Sequence, residues 1–186
     1  MKEFSSGVWN SSHDVAEQNS SAPAMSEARL GAQADAQSRP IHVLFLIDHL
    51  MARGGGESNL LKVVQLMPPE IVRCSVATFR IKPEIRQLIP VPVHVLPFRR
   101  VYDFQALRSG LKLRRLIHEE KVDIVQTYFE TSNLWGGLIA KLSGAILVSS
   151  RRDLGILRVA KHHFAYRFVN RITDRVLAVS EEVRRF

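Results

Sequence analysis

The chain has 186 residues, 46% of them hydrophobic, and a formal net charge of +8 at neutral pH. That length suits one domain plus a tail, with apolar content enough for a real core. No apolar run approaches the roughly 18–20 residues of a spanning helix, the first residues lack the basic start and apolar block of a secretory signal, and one cysteine, Cys74, excludes an internal disulfide and makes a reducing, cytoplasmic setting the expectation.

Residues 1–38 are rich in Ser, Ala, Asn and Gln and have no hydrophobic period. Such a segment buries too little apolar surface to offset its ordering entropy, so a disordered tail is expected. The first 40 residues carry two more acidic than basic side chains, which leaves +10 on the remainder. A basic domain of this kind faces nucleic acid, an anionic membrane or phosphorylated small molecules, or simply has a solvated arginine-rich surface.

From Pro40 the pattern alternates. A buried strand is expected over 41–47. A glycine loop, Gly54-Gly55-Gly56-Glu57, opens a helix over 56–67 that Pro68-Pro69 stops. A second strand covers 71–79, a short helix or turn Pro83–Leu88, and a third strand Val91–Leu96, whose flanking prolines suit a sheet edge. In the helix over 104–120, Phe104, Leu107, Leu111, Leu113, Leu116 and Ile117 are expected to line one broad face, with Arg108, Lys112, Arg115 and Glu119 outward. A fourth strand covers 123–128. The next helix, 132–142, carries Gly136, Gly137 and Ala140 for close packing on a sheet, and Gly144 stops it. A fifth strand (145–149), a basic helix (156–172) and a sixth strand (175–179) complete the pattern. Short apolar strands separated by helices mean an α/β fold: a Rossmann-like, doubly wound, mostly parallel sheet with helices on both faces.

In such a sheet ligands lie beyond the C-terminal strand ends. The residues expected on that rim are Asp48 and Gly54–Glu57 after strand one, Gln126, Tyr128, Glu130 and Thr131 after strand four, Ser149, Ser150, Arg151, Arg152 and Asp153 after strand five, and Ser180, Glu181 and Glu182 after strand six. Strand, glycine loop and helix together present backbone N–H groups and a positive helix end to an anion. The glycine spacing is neither the dinucleotide fingerprint nor a P-loop, and the same glycines also serve plain turn geometry. His162-His163 point about 100° apart on a helix and do not share one ion. Glu181-Glu182 read as a helix start capped by Ser180. No nucleophile–base set is legible, and no nucleic-acid module is present.

Ile41–Glu57 resembles the opening of the family 4 glycosyltransferases, whose fold is the two-domain GT-B arrangement: a strand, a variable loop, then G-G-x-E before the first helix. Lys121-Val122-Asp123-Ile124-Val125, the small-residue segment Trp135–Gly144 and Thr173–Ser180 match the family in the same order, so the resemblance covers about residues 40–186. It implies the N-terminal, acceptor-side domain of an enzyme that transfers a sugar from a nucleotide-sugar co-substrate to a glycan or lipid-linked acceptor, with retention and without a metal or other cofactor. It also implies that a second, donor-binding domain with an E-x7-E signature completes the enzyme, and that this chain alone turns over little. By that analogy Gly54, Gly55, Gly56 and Glu57 face the donor diphosphate. Gln126, Tyr128, Glu130, Arg151, Arg152 and Asp153 are candidate acceptor or sugar contacts. Two departures stand out: relatives show H-x-H where this chain has Gln126-Thr127-Tyr128, and several place a histidine where Arg151 stands. An arginine there can clamp a phosphate or carboxylate but cannot act as a base. It reads equally as a surface arginine paired with Asp153. Basic residues interleave with Leu154, Ile156, Leu157, Phe164, Tyr166 and Phe168, a pattern that suits either peripheral contact with an anionic membrane at its inner face or packing on the sheet. A non-catalytic module that binds an anion or a partner subunit is the alternative reading.

Overall fold

A run of aliphatic residues flanked by loops makes Ile41–Leu50 the first strand, β1, and His42–Ile47 within it are all buried. The computed structural model describes residues 39–51, 54–151 and 167–185. After β1 come α1 (Gly55–Leu66), β2 (Val72–Ile81), α2 (Pro83–Arg86), β3 (Val93–Val95), α3 (Phe104–Glu119) and β4 (Ile124–Tyr128). A π-helical turn, Ser132–Gly136, leads into α4 (Gly137–Leu142). Then follow β5 (Ile146–Arg151), α5 (residues 167–172), β6 (Arg175–Ala178) and α6 (Glu181–Arg185).

The six strands are all parallel, in the order β3-β2-β1-β4-β5-β6. The sequence therefore goes outward from β1 to the β3 edge, crosses back, and goes outward again to β6. The two crossover directions put helices on opposite faces. Leu60 and Val64 of α1 pack with Phe45, Ile47, Val76 and Tyr128 on one face. Leu113 and Ile117 of α3 and Ala140 of α4 pack with Leu44, Leu46, Val125 and Leu147 on the other. Alternate residues of β1 thus serve two separate cores, which is why the strand is apolar without alternation.

Small residues set the helix–sheet distance. A Cβ on Gly136 would overlap Leu46 Cδ2, and one on Gly137 would sit 3.2 Å from Leu147 Cδ2. The expected helix stop at Gly144 has φ +82°, a left-handed value that favours glycine. Asp103 caps α3 by accepting from Ala106 N at 2.6 Å. Ser180 caps α6, as expected, accepting from Val183 N.

Four expectations need correction. β1 runs to Leu50 rather than Ile47, and β3 is only Val93–Val95, although it does occupy an edge. The helix after β4 begins with a π-helical turn. The broad apolar face expected of α3 is divided: Leu113, Ile117 and the small residues Ala106, Ser109 and Gly110 are buried, while Phe104, Leu107 and Leu111 are 77%, 62% and 60% exposed. Small residues win the core side because α3 and α4 approach closely there, with a Cβ on Gly110 reaching within 3.1 Å of Ile139. The basic helix expected over 156–172 is described only from residue 167, and the disordered tail expected over 1–38 lies outside the described residues.

Candidate functional site

The strand registers bring the expected rim together. Ile47 pairs with Thr78 on one side and Tyr128 on the other, Tyr128 pairs with Ser150, and Ser150 with Leu177. The next residues, Asp48, Phe129 and Arg151, therefore stand at one level of the sheet although more than 100 positions separate the first from the last; β4 has just ended, β5 ends at Arg151, and β1 continues to Leu50. β4 alone stands between β1 and β5, so Asp48 and Arg151 lie about 10 Å apart across the rim.

Gly54 is the N-cap of α1 and offers no side-chain cap. The first intrahelical bond runs from Ser58 N to Gly54 O, leaving the amides of the first turn without helix acceptors. The three glycines differ in what surrounds them. A Cβ on Gly56 would come within 2.5 Å of Phe129 Cζ, so the loop backbone lies directly on that ring. A Cβ on Gly54 would meet the Glu57 carboxylate. Gly55 is exposed and a Cβ there would meet nothing within 4 Å, so nothing in the fold requires glycine at that position. Glu57 is turned back towards Gly54 and His49, with its Oε1 3.9 Å from His49 Nε2 and its side chain 8% exposed. The Glu57 carboxylate thus lies against the N-cap of α1, and the exposed approach to the first turn is at Gly55.

Phe129 follows β4 with φ +69°, a strained value for an aromatic residue. Its ring stacks on His49 at 5.5 Å with 9° between planes. The turn that follows is tied to β1 by Asp48, whose carboxylate accepts from Thr131 N at 3.0 Å, from Ser132 N at 2.6 Å and from the Ser132 hydroxyl. Asp48 thus occupies the N-terminus of the helix after β4, and α1 carries the helix end without a side-chain cap. Beneath that turn, Asn133 Oδ1 accepts from Thr127 Oγ1 at 2.6 Å and from Ser149 Oγ at 2.9 Å. Ser149 Oγ in turn accepts from Arg151 Nε at 3.4 Å, and Asn170 Oδ1 accepts from the Arg151 guanidinium. This chain of hydrogen bonds fixes Arg151 at the mouth of an open cavity of about 730 Å³ that Asn170, Ser180 and Glu181 also line.

The other expected contacts fall as follows. Tyr128 is fully buried against Phe45, and its hydroxyl accepts from Gln126 Nε2 at 3.1 Å. Both residues face α1 and line a cavity of about 380 Å³ with Asn59, Val63 and Ser150. Glu130 is half-buried on the rim just after Phe129. Arg152 and Asp153 lie outside the described residues, as do His162 and His163. Arg151 bonds to Asn170 and Ser149, and the expected pairing with Asp153 lies outside the described residues. Among the described residues no three His, Cys, Asp or Glu side chains converge on a metal-sized site. Sequence reasoning missed His49, Phe129, Asn133 and Asn170. Phe129 looks like one more core aromatic, and only its backbone angle and its contact with Gly56 mark it. Asn133 carried no distinct signal, since it closes a polar run, Glu130-Thr131-Ser132-Asn133.

A model of the Glycosyltransferase Family 4 domain matches residues 53–186, the larger part of the chain. This chain belongs to Glycosyltransferase Family 4. Solved structures of similar fold include Alr3699/HepE of Anabaena in complex with UDP and glucose (TM-score 0.62, 20% identity, covering 78% of this chain and 40% of that one). MurG of Acinetobacter baumannii is another (0.54, 18%, covering 75% and 41%). The UDP-GlcNAc 2-epimerase of Methanocaldococcus jannaschii is a third (0.58, 12%, covering 78% and 41%). Comparison with curated proteins returns no significant match. The chain spans about 40% of the length of these solved structures. Because an epimerase is among them, structural likeness establishes the Rossmann-like half of the GT-B arrangement, and the family match carries the glycosyltransferase assignment. No helix among the described residues is long and apolar enough to cross a membrane.

Proposed function

We propose that residues 39–186 are the acceptor-side domain of a retaining glycosyltransferase that moves a sugar from a nucleotide-sugar donor to a glycan or lipid-linked acceptor, with residues 1–38 a tail. The observation that carries the reading is the α1 N-terminus: a glycine-built helix end whose N-cap makes no side-chain hydrogen bond, on the rim of the C-terminal strand ends, with an open approach at Gly55 beside the Glu57 carboxylate. In this reading its amides stabilise the charge that builds on the leaving diphosphate. Arg151, held by Ser149 and Asn170 at the end of β5, binds a further anionic group. The UDP and glucose of the HepE complex support a nucleotide sugar as co-substrate. The donor's nucleotide is held by a second domain, in the same polypeptide or another, so the 186-residue chain alone transfers negligible sugar.

The test is transfer from several radiolabelled UDP- and GDP-sugars by this chain, alone and with a purified donor-binding domain carrying the E-x7-E signature. Activity only in the combined sample is expected, together with its loss in Gly55→Val. Clear transfer by the chain alone would overturn the two-part reading. One observation favours the binding-module alternative: Val176, Leu177 and Val179 at the β6 edge are each about half exposed, a surface suited to a partner. Tight association with a donor domain that leaves no activity in any combination would support it.

A further inference from the structure

α3 and the helical segment after β4 each turn a second stripe away from the sheet. On α3 it is Leu107, Gly110, Leu111 and Arg114, and on the π-helical turn and α4 it is Trp135, Leu138, Ile139 and Leu142. The two stripes have the same three-and-four spacing, the period of one helix face. Between them lies an open groove of about 370 Å³. The small, buried residues Ala106 and Gly110 lie at its bottom, and Leu107, Leu111 and Leu142 stand along its sides, 62%, 60% and 70% exposed. α3 packs on the sheet through Leu113 and Ile117, and α4 through Ala140, so folding does not account for this second surface.

We propose that this groove receives an amphipathic helix of a partner protein, apolar on one face and acidic along one flank. Shape selects a helix. Two walls that repeat every three and four residues interlock with the ridges of a third helix, whose anchors fall at the same spacing. A flat surface would touch Leu107, Leu111 and Leu142 and leave Trp135 and the bottom of the groove unfilled. Trp135 is the large aromatic around which such contacts concentrate their energy. Charge selects the flank. Arg108, Lys112 and Arg115 each follow a stripe position of α3 by one residue, so they border the groove on its α3 side. Asp103 is engaged as the cap of α3, and Glu119 pairs with Arg115 at 2.6 Å, so neither offsets Arg108 and Lys112. On the α4 side Lys141 is held by both oxygens of Asp174 at 2.7 Å, which leaves the basic border one-sided and fixes where the partner's acidic residues lie. A second copy of the chain fits poorly, because an isologous contact would set one basic border against another. The inference stands on the groove itself and does not require sugar transfer.

The probe is a stapled, fluorescein-labelled helix of about four turns, with leucines at the three-and-four spacing and glutamates along one flank, beside a twin with lysines in place of the glutamates. Fluorescence anisotropy with the full chain should show the acidic peptide binding in the micromolar range, about ten-fold or more tighter than its twin. The preference should shrink in about 1 M salt, where the Debye length is about 3 Å. Leu107→Ser with Leu111→Ser should weaken the acidic peptide by about ten-fold or more. Arg108→Glu with Lys112→Glu should reverse the preference, so that the lysine twin binds better; a gain of binding cannot come from a variant that fails to fold. Equal affinity for the two peptides, variants that bind like the parent, or no reversal would overturn the proposal. No saturable binding of either peptide would also overturn it, and vesicle binding lost in the leucine variant would then give the face to a membrane. A concentration-dependent dimer abolished by the leucine substitutions would overturn it as well, and would make the groove an interface between copies.

Discussion

The glycines of the loop after β1 are not equivalent, and their differences are measurable. Gly56 lies against the Phe129 ring with no room for a methyl group, so Gly56→Ala forces the ring or the backbone to move. Overpacking of that kind costs about 1–3 kcal/mol, which urea denaturation would detect. Gly55→Ala meets open space, so its stability should stay within about 0.5 kcal/mol of the parent. If Gly55 faces a diphosphate, the same substitution should nonetheless weaken binding of UDP to the assembled enzyme; a variant equal to the parent in both measurements would remove Gly55 from the site. Asp48 is a second such residue. It looked like a rim acid open to ligand, and it is instead the acceptor for two amides and a hydroxyl of the turn after β4. Asp48→Ala should lower stability by roughly 1–2 kcal/mol, the cost of losing a helix cap.

At the level of elements, two carboxylates tie the strands to their neighbours. Asp174, just before β6, accepts from Lys141 of α4 through both oxygens and from Leu147 N of β5. Asp123, just before β4, accepts from both guanidinium nitrogens of Arg39 and from His42 N of β1. Lys141 and the Leu147 amide hold the Asp174 carboxyl below its usual range, and Arg39, followed by the His42 amide, does the same for Asp123. A carboxylate with a depressed folded-state pKa contributes stability that is present above its unfolded value, near 4, and is lost as pH falls through the folded value. The fold should therefore weaken below about pH 4, and the acid limb should flatten in Asp123→Asn and Asp174→Asn, which are also less stable than the parent at neutral pH. Unfolding curves between pH 2.5 and 7 would check the sign; an unchanged acid limb in both variants would show that other groups control it. The helices teach a related lesson. The stripe of leucines on α3 was legible as a stripe, but its direction was not: Gly110 and Ala106 admit α4 closely, and that choice turns Leu107 and Leu111 outward.

For the whole molecule, the parallel order places β1 at the centre and gathers the ends of β1, β4, β5 and β6 on one rim, as doubly wound sheets do. The β6 edge is open and apolar on that side, with Val176, Leu177 and Val179 each about half exposed. A donor-binding domain that covers this edge should raise the thermal midpoint of the chain, and above Kd raise it further with the logarithm of its concentration, through mass action on the folded state. Replacement of Leu177 by Ser should cut that increment without lowering the midpoint of the isolated chain. A mixture whose midpoint does not move at saturating concentration would place the partner surface elsewhere.

Strand and helix runs, their alternation and the glycine loop were determined by local sequence alone, because periodicity and backbone freedom act over a few residues. The sheet class follows from the same source: near-continuous apolar strands can be satisfied only by helices on both faces. The family resemblance is equally local, a set of short motifs in a fixed order. What the tertiary structure decided is everything that needs two distant segments at once. Asp48 reaches Ser132 across 84 positions, Gly56 rests on Phe129, and Asn133 joins Thr127 and Ser149 on the way to Arg151. Strand register creates these meetings, and register is settled by packing over the entire sheet rather than by any residue's own preference.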